Sequence, residues 1–160
     1  MNGGQGTYVL FLVPHASTAM QIGKLGRIHF ESPFYAYVGS AFGPGGLEAR
    51  VARHLSPGKR QHWHIDYLRE SADIVRVWTI ESHRRLECRV AALLATIRGA
   101  VTVPRFGASD CRCASHLAGL DRLPAFAHFQ RRLTTTVPQS SGMQCREFTR
   151  DVGSLLPLDI

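Results

Sequence analysis

The sequence predicts a small α/β (α+β) domain in which short strands at hairpin-like spacing are flanked by helices. Residues 7–13 are almost all apolar and rich in Val, Leu and aromatic residues, which is typical of a strand buried on both faces. Residues 84–98 instead carry their apolar side chains at helical spacing, and Gly99 fits a C-cap. A chain of 160 residues that is 44% hydrophobic can bury one core and carry an appendage.

Two further strands are predicted in the first quarter of the chain. Residues 22–30 form a weaker strand, in which Gly23 and Gly26 are expected to cause kinks or bulges. Residues 34–38 follow Pro33 and form a third short strand. Turns and glycines separate these segments at the spacing of hairpins.

Helices and one more strand are predicted in the middle of the chain. A glycine-rich turn at 43–46 leads into a helix at about 47–55, and a short helix or turn is expected at 62–68. Residues 74–80 alternate in the manner of a strand. The side chains expected on one face of that strand are Ile74, Arg76, Trp78 and Ile80.

The C-terminal part is patterned more weakly. Residues 104–117 predict a loop or hairpin that carries Gly, Ser and Cys, and residues 123–133 a further helix. Residues 134–142 are typical of a linker, and the last residues of a weakly packed tail. We therefore predict one domain over residues 1–119 and a C-terminal extension over 120–160 that is partly helical or disordered.

The composition favours a polyanionic partner and an intracellular protein. A formal charge of +7, spread along the chain, attracts phosphates at long range and releases counterions on binding. No segment is long and apolar enough to span a membrane, and the N-terminus lacks the basic region of a signal peptide. We therefore expect a cytoplasmic location, where four cysteines are thiols or metal ligands more often than disulfides.

Two tyrosine half-motifs stand in order along the chain, Gly6-Thr7-Tyr8 and Tyr37-Val38-Gly39. A glycine-rich turn follows, then Arg50 and His54 one turn apart on the predicted helix, and then Glu87 on the next long helix. In this order the set resembles the GIY-YIG endonuclease superfamily. Three longer stretches, at 37–47, 62–68 and 106–113, resemble its Uri-type subfamily.

This resemblance spans Gly6 to about Leu117 and implies both a fold and an activity. The fold is a central, mostly antiparallel sheet of three strands flanked by helices. The activity is metal-dependent hydrolysis of phosphodiester bonds in DNA, in repair or in processing of aberrant structures, with RNA as the alternative substrate. The half-motifs are farther apart than usual in the family, which an insertion around residues 16–27 would explain. The family's late asparagine is absent, so its role is either vacant or filled by another residue such as Ser109 or Asp110.

The resemblance also assigns roles to five side chains. Glu87 would hold one Mg2+ or Mn2+ ion, since such a cation needs few carboxylates and keeps several waters. Arg50 would bind the scissile phosphate through its planar donor fork. Tyr8 would hydrogen-bond the attacking water and act as, or relay to, the base, for which Arg50 and the metal ion must lower its phenol pKa from about 10. Tyr37 would shape the pocket, and His54 would exchange protons or contact phosphate.

Two more residues complete the predicted substrate-binding set. Gly39 lets the backbone pass close to Tyr37, and Arg53 lies one turn from Arg50 on the helix, where a surface role is the alternative. The turn at 43–46 lacks the Lys-Ser/Thr of a nucleotide-binding loop, so we expect a turn there rather than a phosphate cradle.

Besides Glu87, the sequence contains a second set of side chains that are able to bind a metal ion. Zinc is one interpretation, although Cys-x-Cys with a close His departs from the usual paired spacing. The alternatives are fold-supporting histidines with loop thiols, and aspartates that support the active site from behind. The set comprises His62, His64, Asp66, Asp110, Cys111, Cys113 and His116. A non-catalytic nucleic-acid-binding module and a zinc-stabilised interaction module are the alternative functions, and Trp63 and Trp78 are expected in the core.

Overall fold

A computed structural model of the protein describes residues 4–58, 60–109, 111–137 and 143–149. This part of the chain is an α+β fold with four α-helices, a six-stranded antiparallel sheet and a separate two-stranded sheet. The strands are β1 (Gly6–Pro14), β2 (Thr18–Gln21), β3 (Arg27–Phe30), β4 (Phe34–Ala41), β5 (Ala72–Glu81), β6 (Val101–Thr102), β7 (Leu117–Leu120) and β8 (Gln144–Thr149). The helices are α1 (Gly46–Leu55), α2 (His64–Arg69), α3 (Glu87–Ala95) and α4 (Phe126–Thr136).

β1 is a central strand of the larger sheet, whose order is β6-β7-β4-β1-β5-β8. It pairs antiparallel with β4 on one side and β5 on the other, so that Tyr8 lies opposite both Gly39 and Thr79. Residues 7–12 are buried, which confirms the prediction from the apolar run. Because both faces of the sheet are covered, a polar alternation in this strand would bury unpaired polar groups.

Helices cover both faces of the sheet and divide the core in two. On one face, Tyr8, Leu10 and Leu12 of β1 pack beneath α1, α2 and the β2–β3 hairpin. On the other face, Val9 and Phe11 pack against α3 and α4. Alternate residues of one strand therefore serve two cores, and Tyr8 points toward the α1 side.

The sequence predicts about three strands for the central sheet, whereas the described residues form six. β6 and β7 are only two and four residues long, too short to show a periodic pattern. β8 consists mainly of polar, exposed side chains and gives no apolar alternation. It is held at the sheet edge by pairing with β5 and by the Trp78 indole N–H, which donates to Glu147 Oε2 at 2.7 Å.

Two elements of the stretch predicted as an extension belong to the main fold: α4 packs against the six-stranded sheet, and β8 is an edge strand of it. Phe129 and Leu133 of α4 are buried in the α3-side core. The first three residues of the predicted linker at 134–142 are helical, because α4 continues through Thr136. Residues 138–142, and the predicted tail at 150–160, lie outside the described ranges.

Residues 22–30 are not the single weak strand that the sequence predicts. They form a turn of 3-10 helix at Gly23–Leu25 and then β3, which pairs with β2 in a separate hairpin. Gly23 and Gly26 have φ angles of 46° and 85°, so they reverse the chain instead of kinking a strand. This hairpin stands between β1 and β4, in the region where the sequence predicts an insertion.

The two faces of β5 differ from those that strict alternation predicts. Ile74 is expected beside Trp78 and Ile80, but it packs in the α1-side core, while Trp78 and Ile80 pack in the α3-side core. The cause is a register shift between β1 and β5, which leaves Val75 without a partner residue on β1. One bulged residue reverses the alternation on either side of it.

The predicted helices are present with altered ends. α1 and α2 agree with the predictions at 47–55 and 62–68 to within about two residues, as is usual for helix ends. α3 begins three residues later than predicted, which makes Glu87 its first residue. None of the helices in the described ranges has the length and the apolar run needed to cross a membrane.

Candidate functional site

The two tyrosines of the half-motifs meet on the α1 side of the central strands. The register between β1 and β4 sets Tyr8 opposite Gly39, and the ring centroids of Tyr8 and Tyr37 are 6.5 Å apart. A Cβ atom at position 39 would collide with the Tyr8 phenol. Gly39 therefore makes room for the Tyr8 ring, a steric role beside the substrate-binding role that the sequence predicts.

α1 supplies a histidine to this pair of tyrosines. His54 is fully buried, and its Nε2 atom forms a hydrogen bond of 2.7 Å with the Tyr8 hydroxyl. The Tyr37 ring centroid lies 6.3 Å from that of His54. The i, i+4 spacing predicts that His54 shares a helix face with Arg50, but it does not predict that the histidine is turned inward onto Tyr8.

Trp63, the residue that precedes α2, stacks against both arginines of α1. The guanidinium carbons of Arg50 and Arg53 lie 4.6 Å and 4.1 Å from its ring centroid, within cation–π range. The His54 ring centroid is 6.0 Å from the same ring. Trp63 is only partly buried, so it lies at the edge of the site rather than in the core. The sequence does not predict this role, because a single tryptophan gives no signal of what it stacks on.

Arg53 is held by Asp66 of α2. Its two terminal nitrogens donate to the Asp66 carboxylate at 3.1 Å and 3.0 Å. The same carboxylate accepts hydrogen bonds from the backbone N–H groups of His62 and Trp63 at 2.8 Å and 2.9 Å. Burial alone would raise the pKa of Asp66, but Arg53 and the two N–H groups outweigh it, so the pKa lies below its ordinary value. Asp66 thus acts indirectly, because it holds Arg53 and the backbone before α2 in place, and this is one of the roles that the sequence predicts.

Arg50 differs from Arg53 in its partners. Within the described ranges Arg50 makes no ion pair, and its guanidinium lies over Trp63 near the glycine-rich turn. Arg50 also acts electrostatically on Tyr8 and Tyr37: burial raises the pKa of both phenols, and the positive charge of Arg50 opposes that rise. Of the two arginines, Arg50 is therefore the one whose donors remain available to a phosphate.

Both phenols are held in their neutral form. Burial raises the pKa of Tyr8 well above its ordinary value, and the neighbouring Tyr37 adds to the rise. Burial also raises the pKa of Tyr37, with further contributions from Asp66 and Glu87. Arg50 contributes in the lowering direction that the sequence predicts, but the pKa of Tyr8 is raised overall, because the cost of burying a phenolate is larger than the attraction of the arginines.

Glu87 lies at the start of α3 with one buried oxygen. Among the described residues, its Oε2 atom has no hydrogen-bond partner. Burial raises the pKa of Tyr37, to which the Glu87 charge adds, and burial lowers the pKa of His116, which the Glu87 charge opposes; the carboxylate therefore lies within electrostatic reach of both rings. A buried carboxylate oxygen without a partner is costly, and a cation would offset that cost. A single carboxylate leaves the remaining positions of Mg2+ or Mn2+ to water and phosphate.

A second group of side chains includes Cys88, the residue that follows Glu87 on α3. Cys88, Cys111, Cys113 and His116 bring their donor atoms within 4.8 Å of one another, and we call these four residues the Cys3His cluster. His116 Nε2 is 3.4 Å from Cys111 Sγ and 3.8 Å from Cys88 Sγ. Cys88 and Cys113 also form a disulfide, with their Cα atoms 6.1 Å apart, whereas the sequence predicts thiols or ligands. This partly buried cluster could hold a metal ion such as zinc.

The structure divides the second predicted set of ligands. Cys111, Cys113 and His116 come together, whereas His62 packs against Trp63. His64 belongs to the fold, because its Nδ1 atom accepts a hydrogen bond of 2.9 Å from the Gly107 N–H. Burial lowers the pKa of His64, in keeping with a neutral ring that accepts this bond.

Cys88 is the fourth residue of the cluster, and Ser109 and Asp110 are the candidates for the role of the family's late asparagine. The sequence does not predict Cys88 as a ligand, because an isolated cysteine 23 residues before Cys111 has no recognisable spacing. Ser109 is exposed, and Asp110 lies outside the described residues.

The glycine-rich turn before α1 is a turn, as predicted. Gly45 and Gly46 have φ angles of 81° and 62°, which glycine adopts without strain. The Leu47 N–H donates to the Gly4 carbonyl at 2.9 Å, and the Gly46 N–H to the Gly43 carbonyl at 3.2 Å. These N–H groups at the start of α1 therefore have protein partners.

Comparison with known proteins identifies one family. The chain matches the family model described as domain of unknown function DUF123 over residues 7–137, which runs from the start of β1 to the end of α4. No curated protein and no solved structure shows significant similarity to the chain. Since the match covers most of its length, the chain belongs to the DUF123 family of domains of unknown function.

Proposed function

We propose that this protein is a metal-dependent endonuclease of GIY-YIG type that hydrolyses phosphodiester bonds in DNA. The observation that carries the proposal is the buried hydrogen bond between Tyr8 and His54, with Arg50 one helical turn away. Tyr37 packs beside this pair, and the charge of Glu87 acts on the Tyr37 phenol. A proton acceptor, a cationic group that binds phosphate and a carboxylate able to hold a cation are groups suited to hydrolysis of a phosphate diester.

Arg50 binds the scissile phosphate. Its guanidinium is always charged and presents planar donors that suit two phosphate oxygens. Trp63 limits the motion of that side chain by stacking on it. The formal charge of +7 strengthens the attraction of the whole chain for a polyanion. Arg53 acts indirectly: it donates to Asp66, and the Asp66 carboxylate accepts the Trp63 N–H and so orients Trp63.

Tyr8 and His54 move the proton of the attacking water. Because burial keeps the Tyr8 phenol neutral, a tyrosinate base is disfavoured. The Tyr8 oxygen instead accepts the proton of water while its own proton passes to His54 Nε2, 2.7 Å away. The water oxygen forms the new bond to phosphorus, the bond to the leaving oxygen breaks, and that oxygen takes a proton from solvent. Tyr37 closes the pocket beside this pair.

Glu87 is the residue that would hold the divalent cation. When bound, Mg2+ or Mn2+ supplies positive charge that neutralises the phosphate and the leaving oxygen. The buried Oε2 atom of Glu87 without a partner among the described residues supports this role. Within those residues, Glu87 belongs to no group of three or more side chains that could share an ion, so most positions around the ion fall to water and substrate.

The test is cleavage of plasmid, single-stranded, flapped and branched DNA, and of RNA, with Mg2+ or Mn2+. Wild type should cut at least one substrate, and Glu87→Gln should lose activity by about 10²-fold or more while binding DNA equally well. Glu48→Gln, at an exposed carboxylate on α1, should cut like wild type. If wild type binds with a steep salt dependence but cuts no substrate, the protein is a non-catalytic nucleic-acid-binding module.

A further inference from the structure

We propose that Cys88, Cys111, Cys113 and His116 bind one Zn2+ ion, and that this zinc centre positions Glu87. Zinc binding itself is independent of the proposed nuclease function, whereas the consequence for Glu87 rests on it. The four donors comprise three sulfurs and one imidazole nitrogen, a ligand set typical of closed, structural zinc sites.

The distances between donors support a tetrahedral ion. With Zn–S bonds of about 2.3 Å and Zn–N bonds of about 2.0 Å, a tetrahedral site separates a sulfur from a nitrogen by about 3.5 Å. His116 Nε2 lies 3.4 Å from Cys111 Sγ and 3.8 Å from Cys88 Sγ. All four donor atoms lie within 4.8 Å of one another, so one ion can reach them with small side-chain movements.

The same sulfurs form a disulfide and a zinc site only in different redox states. The bond between Cys88 and Cys113 is the oxidised form, and zinc binding requires both as thiolates, two electrons more reduced. Starting from the reduced chain, Zn2+ binds and the three thiols release their protons to solvent. Cys111 adjoins His116 Nε2 but lies outside the disulfide, and zinc binding gives this thiol a role in the same centre.

Zinc would join a loop to the first turn of α3. The described residues between β6 and β7 contain no helix or strand, and this loop carries Cys111, Cys113 and His116. Cys88 is the second residue of α3 and directly follows Glu87. An ion shared by the loop and Cys88 therefore restrains the backbone of the predicted metal ligand. The loop also contacts the other side of the site, since a Cβ at Gly107 would lie 3.0 Å from Tyr37.

Zinc content and thiol count test the binding site on the full chain. Purified under reducing conditions without chelator, wild type should contain one zinc per chain and release four thiols when denatured with chelator. Cys111→Ser and His116→Ala should lose the zinc. Cys145→Ser should retain it, because Cys145 packs in the α3-side core outside the cluster.

Two results would overturn the site. The first is that reduced wild type binds no zinc when Zn2+ is added. The oxidised chain would then release only two thiols, the number that one disulfide leaves among four cysteines. The second is full zinc content in Cys111→Ser, which would mean that the ion lies elsewhere. Cobalt substitution gives an independent readout, since thiolate-to-metal absorption bands should be present in wild type and weaker in Cys111→Ser.

The link to Glu87 is tested by the metal dependence of cleavage. Removing zinc should raise the Mg2+ concentration for half-maximal cleavage by about tenfold or more, and added Zn2+ should restore it. Unchanged Mg2+ dependence in zinc-free protein would overturn the positioning role. Glu87→Gln should keep its zinc and lose cleavage. Wild type that holds one zinc but never cuts would remove the nuclease proposal, and with it the role at Glu87, while the zinc site stands.

Discussion

The Tyr8 hydroxyl and His54 Nε2 lie 2.7 Å apart, although 46 positions separate the two residues in the chain. Tyr8 lies on the central strand and His54 on the helix that covers it, and both are buried. Because burial also keeps Tyr8 neutral, the pair is suited to passing a proton rather than to holding a phenolate.

Breaking this pair should abolish most of the cleavage. We expect Tyr8→Phe and His54→Gln each to lower kcat by about 10²–10⁴-fold, the range for loss of general acid–base catalysis. Since both residues act on one proton, the double variant should be little worse than either single variant. Single-turnover cleavage measures this, with His128→Gln, at an exposed position of α4, as the control. Multiplied losses in the double variant would show that the residues act independently.

The two arginines of α1 should respond differently to the same substitution. Arg50→Lys should lower cleavage by about tenfold or more with little change in stability, because a lysine cannot present two planar donors to phosphate. Arg53→Lys should lower the free energy of unfolding by about 1–3 kcal/mol, because it loses the two-nitrogen bond to buried Asp66. Urea unfolding and cleavage assays on both variants separate the effects. The reverse pattern would exchange the two roles.

Asp66 should make stability depend on acidic pH. Its pKa is lower in the folded chain than in the unfolded chain, so its contribution is present near neutral pH and is lost as pH falls through the folded pKa. Asp66→Asn should cost about 2–4 kcal/mol at neutral pH and flatten this acid limb. Asp73→Asn is the control, since its 3.2 Å pair with His15 is exposed and should contribute less than about 1 kcal/mol. Equal effects of the two substitutions would contradict the assignment.

A side chain at position 39 should displace Tyr8. Gly39→Ala places a Cβ against the Tyr8 phenol, and overpacking of this kind costs about 1–3 kcal/mol. Cleavage should fall as well, because the hydroxyl moves away from His54. Gly43→Ala is the matched control, since its Cβ would meet only the Arg50 side chain at 3.6 Å. Thermal unfolding and cleavage of both variants measure this, and wild-type behaviour of Gly39→Ala would remove the steric role of the glycine.

Local patterns predict many of the elements of this fold. The continuous apolar run of β1 and the helical stripes of α1 and α3 depend only on neighbouring residues, and each is present in the structure. The same patterns fail for β8, whose polar residues form a strand only because β5 offers an edge. They also fail at Val75, where a bulge exchanges the faces of a strand. Pairing with a distant partner leaves no signal in a short stretch of sequence.

The candidate site divides in the same way. The sequence by itself determined which chemical groups are available and their order along the chain: Tyr8, Tyr37, Arg50, His54 and Glu87. Only the tertiary structure decided that His54 turns inward onto Tyr8, that Asp66 engages Arg53 rather than Arg50, and that Cys88 joins Cys111, Cys113 and His116. Such contacts depend on the register of strands and on helix packing, and burial then sets the charge state of each group.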